Sequence, residues 1–255
     1  MEVHKHPHDI THKKKLGEYL LEFFMLFLAV FLGFVAENIR ESIAEHHQAK
    51  AYAINLIDEL KKDTSGLNYI IARHKLVSGK LDSFCLFNRE KKERNVTNGM
   101  LYYYASYAPN VSYFSSHNDT IEQLKNSGNL RLMSNEAAHD ISEYDQEIRG
   151  LENEYSLSKS EFEKIEDLHF KLFDVYLMEA LLPNNERKAK ARDSVFRSDS
   201  FPILNDEEKM KEYTGLMKFE ANIYRFQIKR YLEPIKEKAE TLLGLLRKEY
   251  HLEKD

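Results

Sequence analysis

The chain opens polar, becomes strongly apolar between Leu16 and Ala36, and then mixes charged and apolar positions with a helical period almost to its end. The apolar run has 21 residues, enough at about 1.5 Å per residue to cross a hydrocarbon core of roughly 30 Å. Its uncharged centre, Phe23 to Ala36, is 14 residues long and alone would suit a signal-peptide core or a buried helix. A cleavage site needs small residues at −3 and −1, and Phe34 stands at that spacing before Ala36. The helical pattern also continues without a breaker through ENIRESIAEHHQAKAYAINLIDELKKD. Together these features predict an uncleaved anchor over 16–36.

At about 100° per residue the anchor has two unlike sides. Phe23, Phe24, Phe27, Phe31 and Phe34 share one broad face; Glu18, Glu22, Ala29, Gly33, Ala36 and Arg40 fall on the opposite one. Ala29 and Gly33 form a small-xxx-small pair, which lets two helix backbones approach closely in lipid. Ionisable groups within a span face protein or water. Both signals select the same side, so Glu22, Ala29, Gly33 and Ala36 are the expected helix–helix interface, most simply with a second copy of the chain. Two plainer roles exist for the carboxylates. Glu18 follows Lys14 by four residues and Lys15 by three, within pairing reach near the headgroups. Glu22 sits at the interface if the span starts effectively at Tyr19. The rival of a different kind is an oligomeric ion- or proton-conducting unit with Glu22 in its interior.

Beyond the anchor, apolar positions at Ile54, Ile57, Leu60, Leu67, Ile70, Ile71, Val77, Leu81 and Phe84 predict a helix to about Asp63, or through Asn88 with a weak point at TSG. A polar connection and a tyrosine-rich stretch broken by Pro109 follow. Asp119 with Glu122 marks a helix start, and NSGN ends that helix at Gly128. A second long helix is expected from about Ser134 to Pro183, weakened at Gly150. After a charged linker, Asn205 with Glu208 offers a capping box, and the last helix runs to about Tyr250 with Pro234 as a kink or break. The expectation is an all-α chain: a tail over 1–15, a transmembrane helix over 16–36, and a bundle of long antiparallel helices over 37–255.

Composition narrows the function classes. Nine Gly and five Pro in 255 residues suit helices better than a turn-rich β fold. A net charge of −5, with no basic groove interleaved by aromatics, gives no sign of a nucleic-acid partner. The single cysteine, Cys85, excludes an internal disulfide framework and a cysteine-ligated zinc site; it reads as core. The tail carries four lysines against Arg40 and Lys50 just past the span. This bias sets the N-terminus on the cytoplasmic side and the helical domain across the membrane. Lys13, Lys14 and Lys15 are placed to meet anionic lipid headgroups.

Few constellations carry chemistry. Glu136 with His139 and Glu166 with His169 place a carboxylate and an imidazole on one helix face, as bundle di-iron sites do. They lie on one expected helix, about 45 Å apart, with no helix between them to supply the further carboxylates. His4, His6, His8 and His12 lie in a tail with no fixed ligand geometry. No phosphate loop, Gly-x-Ser-x-Gly or dinucleotide fingerprint is present. The reading is a non-enzyme with neither metal nor cofactor.

Several landmarks resemble an uncharacterised bacterial domain-of-unknown-function family of small single-span membrane proteins. Glu22 opening the apolar core, ENIRE closing it, LIDELKKDTSGLN at 56–68 and LKNSGNLRLMSNEAAHDISEY at 124–144 carry the resemblance, over roughly residues 13 to 145. This span departs in being Phe-rich and in having Glu37 where Asn or Gln is usual. The resemblance implies a membrane-anchored helical domain and brings no activity. With the lysine bias it places the anchor in a bacterial inner membrane and the domain in the periplasm, with lipid, a second copy and a further protein as partners.

Overall fold

The computed structural model describes residues 16–109, 111–179, 194 and 196–252; of Glu179 the backbone alone is described. The chain is all-α. Its first helix, α1, runs from Leu16 to Arg89 without interruption. The TSG stretch does not break it: the Thr64 hydroxyl bonds back to the Leu60 carbonyl at 2.7 Å, and Gly66 leaves room for the Phe114 ring, which lies 3.3 Å from where a Cβ would stand. The chain divides into two compact units, Met1–Ala51 and Tyr52–Asp255.

The second unit is a bundle made by the later part of α1, α4 (Asn135–Leu172) and a final pair, α6 (Glu207–Gln227) and α7 (Glu233–Glu249). Shorter helices α2 (Asn98–Ala105), α3 (Asp119–Asn126) and α5 (Val175–Glu179) complete it. Buried positions on α1 (Leu56, Leu60, Leu67, Val77, Leu81, Phe84) recur three, four, seven or ten residues apart, the spacings that put one stripe of a helix into a core. Asp82 of α1 holds Lys218 at 2.6 Å and also pairs with Arg225, while Lys75 meets Glu233 at 3.1 Å, so α1 runs antiparallel to α6 and α7. On α4, Glu143 meets Lys238 at 2.5 Å and His169 meets Tyr213 at 2.7 Å, again antiparallel. Helices α1 and α4 therefore run parallel, with Asp63 against Tyr144 and Phe84 against Phe173. Parallel neighbours require a return path, and residues 90–134 supply it.

Local chemistry explains most of the boundaries. Ser134 caps α4 by accepting from the Ala137 amide at 3.1 Å. Gly128, at φ +71°, turns the chain after α3 where a side chain would be strained. Helix α3 has no side-chain cap from Asn118; instead Glu59 of α1 accepts from the Thr120 amide and hydroxyl at 3.1 and 2.7 Å. The cap of α6 is Asp206, one residue later than the expected Asn205, accepting from Lys209 at 3.0 Å. Helix α4 ends at Leu172, well before Pro183. The Phe173 backbone turns extended, the Asp174 amide goes to the Tyr102 hydroxyl at 2.9 Å, and the Leu172 carbonyl accepts from Leu204 at 3.1 Å. Helix α4 runs on through Gly150, where the Tyr231 ring packs 3.4 Å from the would-be Cβ. The last helical run is interrupted just before Pro234, where a break was expected: α6 ends at Gln227, a π-helical stretch covers Ile228–Leu232, and Pro234 stands in the first turn of α7.

Candidate functional site

Two features stand out: the bare apolar part of α1 and a set of polar groups sealed inside the bundle. In the first, every described residue from Leu16 to Ala44 is exposed. Phe23 and Phe34 are 69% and 68% exposed, and Phe27 and Phe31 stack with ring centres 6.1 Å apart. Water-soluble domains seldom expose more than a few hundred Å² of contiguous apolar surface, and this is a whole helix. By length and composition α1 can cross a membrane. Just beyond the apolar run, Arg40 pairs with Glu37 at 2.5 Å, which holds the Glu37 carboxyl below its usual range.

The expected interface residues Glu22, Ala29, Gly33 and Ala36 all lie on this helix and are all exposed. Among the described residues, a Cβ added at Gly33 would meet nothing within 4 Å. Lys13, Lys14, Lys15 and the four tail histidines lie outside the described residues.

The Glu-x-x-His pairs come apart. His169 is buried, with Nδ1 on the Tyr213 hydroxyl at 2.7 Å and Nε2 on the Met178 sulfur at 2.9 Å; Glu166 has no part in this. Burial alone pushes the imidazole down to about 4, so it is a neutral core group at physiological pH. His139 is exposed and reaches Glu143, not Glu136. Among the described residues no group of three or more His, Cys, Asp or Glu is placed to hold a metal. Cys85 is half-buried beside the Thr214 carbonyl at 3.4 Å. Burial pushes its thiol up to about 11, which leaves it unreactive.

The tyrosine-rich stretch is mostly packing. Tyr102 is fully buried, edge-on to Phe173 at 5.1 Å, and its hydroxyl donates to the Pro202 carbonyl. Tyr103, Tyr104 and Tyr107 surround the Lys80 ammonium, 5.1 to 5.5 Å from the three ring centres. This cation–π contact ties α2 to α1. An open cleft of about 1470 Å³ lies beside it, between the ends of α1 and α6, with Leu86, Val96 and Met210 in its wall and charges of both signs around it.

Two buried polar groups and their partners escaped sequence reasoning. In one, the Asp63 side chain is 0% exposed, while its partner His117 reaches the surface. Its Oδ1 accepts from the His117 amide and ring Nδ1 at 2.9 and 2.8 Å, and its Oδ2 accepts from the Tyr144 hydroxyl at 2.7 Å. In the other, Glu220 and Tyr224 of α6 sit with His74 of α1, and Glu220 Oε2, Tyr224 Oη and His74 Nδ1 are buried without a hydrogen-bond partner. The Tyr224 hydroxyl draws the Glu220 carboxyl down and is itself pushed up by it, but the two groups do not close into a full hydrogen bond. Burial is the main cause pushing Glu220 up to about 7. No family model, curated protein or solved structure matches the chain, so the family resemblance rests on its sequence landmarks.

Proposed function

We propose that this chain is a membrane-anchored helical scaffold that self-associates through its span. In this reading residues 16–36 cross a bacterial inner membrane once, and Lys13, Lys14 and Lys15 contact lipid headgroups on the cytoplasmic side. The helical bundle stands in the periplasm and offers its surface to a protein partner. One observation carries the reading: a helix of membrane-spanning length, apolar throughout its centre and exposed along that length. Thirteen Leu, Phe and Val residues fall between 16 and 36. At about 0.3–0.6 kcal/mol each at mid-membrane depth, their insertion is worth roughly 4–8 kcal/mol. The face with Ala29 and Gly33 is the one that permits close backbone approach.

Cross-linking of the full chain in native membranes tests the association. Gly33→Leu should separate the backbones and weaken the oligomer several-fold, whereas Phe27→Leu, facing lipid, should leave it intact. Glu22→Gln should also leave it intact, because Gln supplies interhelical hydrogen bonds of about 0.6–2 kcal/mol as well as Glu does. Equal disruption by Gly33→Leu and Phe27→Leu would refute the chosen face. An ion or proton flux lost in Glu22→Gln while assembly persists would replace the scaffold with a channel.

A further inference from the structure

Glu220 lies on the inward side of α6, 5% exposed, and its Oε2 has no partner. Each packed element contributes a neighbour. Tyr224 is one turn along the same helix, Glu161 and Tyr155 come from α4, and Tyr113 comes from the 111–118 segment. Helix α1 sets the His74 ring 4.5 Å from Tyr224, and the Arg73 charge reaches that tyrosine. The charged group whose field reaches Glu220 is another acid, Glu161. The segment is tied down beside it: Phe114 donates its amide to the Tyr155 hydroxyl at 3.2 Å, and the His74 Nε2–H meets the Ser112 carbonyl at 2.9 Å.

We propose that Glu220 is a proton-operated latch: while it holds its proton, α6, α4 and the 111–118 segment stay closed around it, and when it loses that proton they part to let water in. A carboxylic acid can sit in such a place at modest cost, but a carboxylate with no cation beside it and only the imperfectly placed Tyr224 hydroxyl to serve it cannot. Opening hydrates the anion and relieves its repulsion from Glu161. The sign follows from the raised position of the buried acid, about 7 closed against an ordinary value of roughly 4.3 open. The closed form binds the extra proton, so it is favoured fully below about 4.3 and loses that advantage as pH rises towards about 7. His74 acts in the opposite sense, because burial lowers its value, and its contribution favours closure as pH rises. Comparison with a Glu220 variant separates the two.

The test is hydrogen–deuterium exchange of the full chain in lipid nanodiscs, corrected for intrinsic rates, on peptides covering 111–118 and 217–227. The opening constant of the wild type divided by that of Glu220→Gln should rise about tenfold per pH unit between roughly 4.5 and 7, then level off. Glu161→Gln should lower the closed-state value of Glu220, so that the rise levels off at lower pH and reaches a smaller plateau, and His117→Asn should leave the Glu220-dependent ratio unchanged. If Glu220→Gln fails to fold, the earlier and lower plateau of Glu161→Gln alone decides the matter. A flat wild-type to Glu220→Gln ratio, an unmoved Glu161→Gln profile, or a ratio that vanishes in the His117→Asn background would each overturn the latch.

Discussion

Replacing Asp63 by alanine removes one carboxylate and strands three donors. The side chain is wholly buried, and two of its partners, the Tyr144 hydroxyl and the His117 amide, depend on it for their hydrogen bonds. A bond to a charged acceptor contributes about 1.5–3 kcal/mol, and a buried group left unpaired costs about 1–3 kcal/mol. With Tyr144 at 0% exposure, water cannot replace the lost acceptor there without a local opening. Asp63→Ala should therefore destabilise the chain by about 3–5 kcal/mol, at the diagnostic end of single substitutions. Tyr144→Phe removes only one donor and should cost about 1.5–3 kcal/mol. The double variant should be more stable than the sum of the two losses implies, with a coupling of about 1.5–3 kcal/mol, because both changes delete the same bond. Urea unfolding of the full chain in mild detergent, followed by far-ultraviolet circular dichroism, measures all three. A loss below about 1 kcal/mol for Asp63→Ala, or a coupling near zero, would show that the cluster does not tie the return segment to α1.

Two further outcomes are checkable. Gly79 on α1 has nothing within 4 Å of a would-be Cβ, while Gly66 has the Phe114 ring at 3.3 Å. Gly79→Ala should raise stability by about 0.5–1 kcal/mol and Gly66→Ala by less, and a larger gain at Gly66 would refute that reading of the contact. In a Cys85→Ser background, a membrane-impermeant thiol reagent applied from the periplasmic side should label Ser200→Cys and spare Ile10→Cys; the reverse pattern would invert the proposed orientation.

The periodic apolar stripe on α1, the start of α4 at Ser134 and the turn at Gly128 were legible because each depends on neighbours within a few residues. The end of α4 was not. Nothing near Phe173 stops a helix, and what captures the chain there is Tyr102, 72 residues away, together with Leu204. Asp63 read as a polar helix end, since its partners lie 54 and 81 residues away. His169 sat in a sequence pattern shared with metal ligands, and only the fold shows Tyr213 and Met178 on its two nitrogens. Pro234 was legible by its local rule, since the α-helix gives way before it, though the form of the break, a π-helical stretch over Ile228–Leu232, was not. Glu22, Ala29, Gly33 and Ala36 lie on one uninterrupted, exposed helix, so their common side follows from spacing alone, while what covers it does not.

The direction of α1 relative to α6 and α7 has a consequence for biogenesis. The Lys75–Glu233 pair closes across 158 residues, and Phe84 waits for Tyr213. At about 5–20 residues per second, the ribosome takes roughly 8–30 s to make that stretch. During this interval the stripe from Leu56 to Phe84 has been synthesised, and α4 follows, but α6 and α7, which complete its cover, have not been made. The nascent chain thus carries two apolar surfaces at once, one suited to lipid and one suited only to its own unfinished C-terminal half. A holding chaperone at the exit site would find its substrate in the second, and depletion of such a factor would be felt first by chains stalled before residue 213.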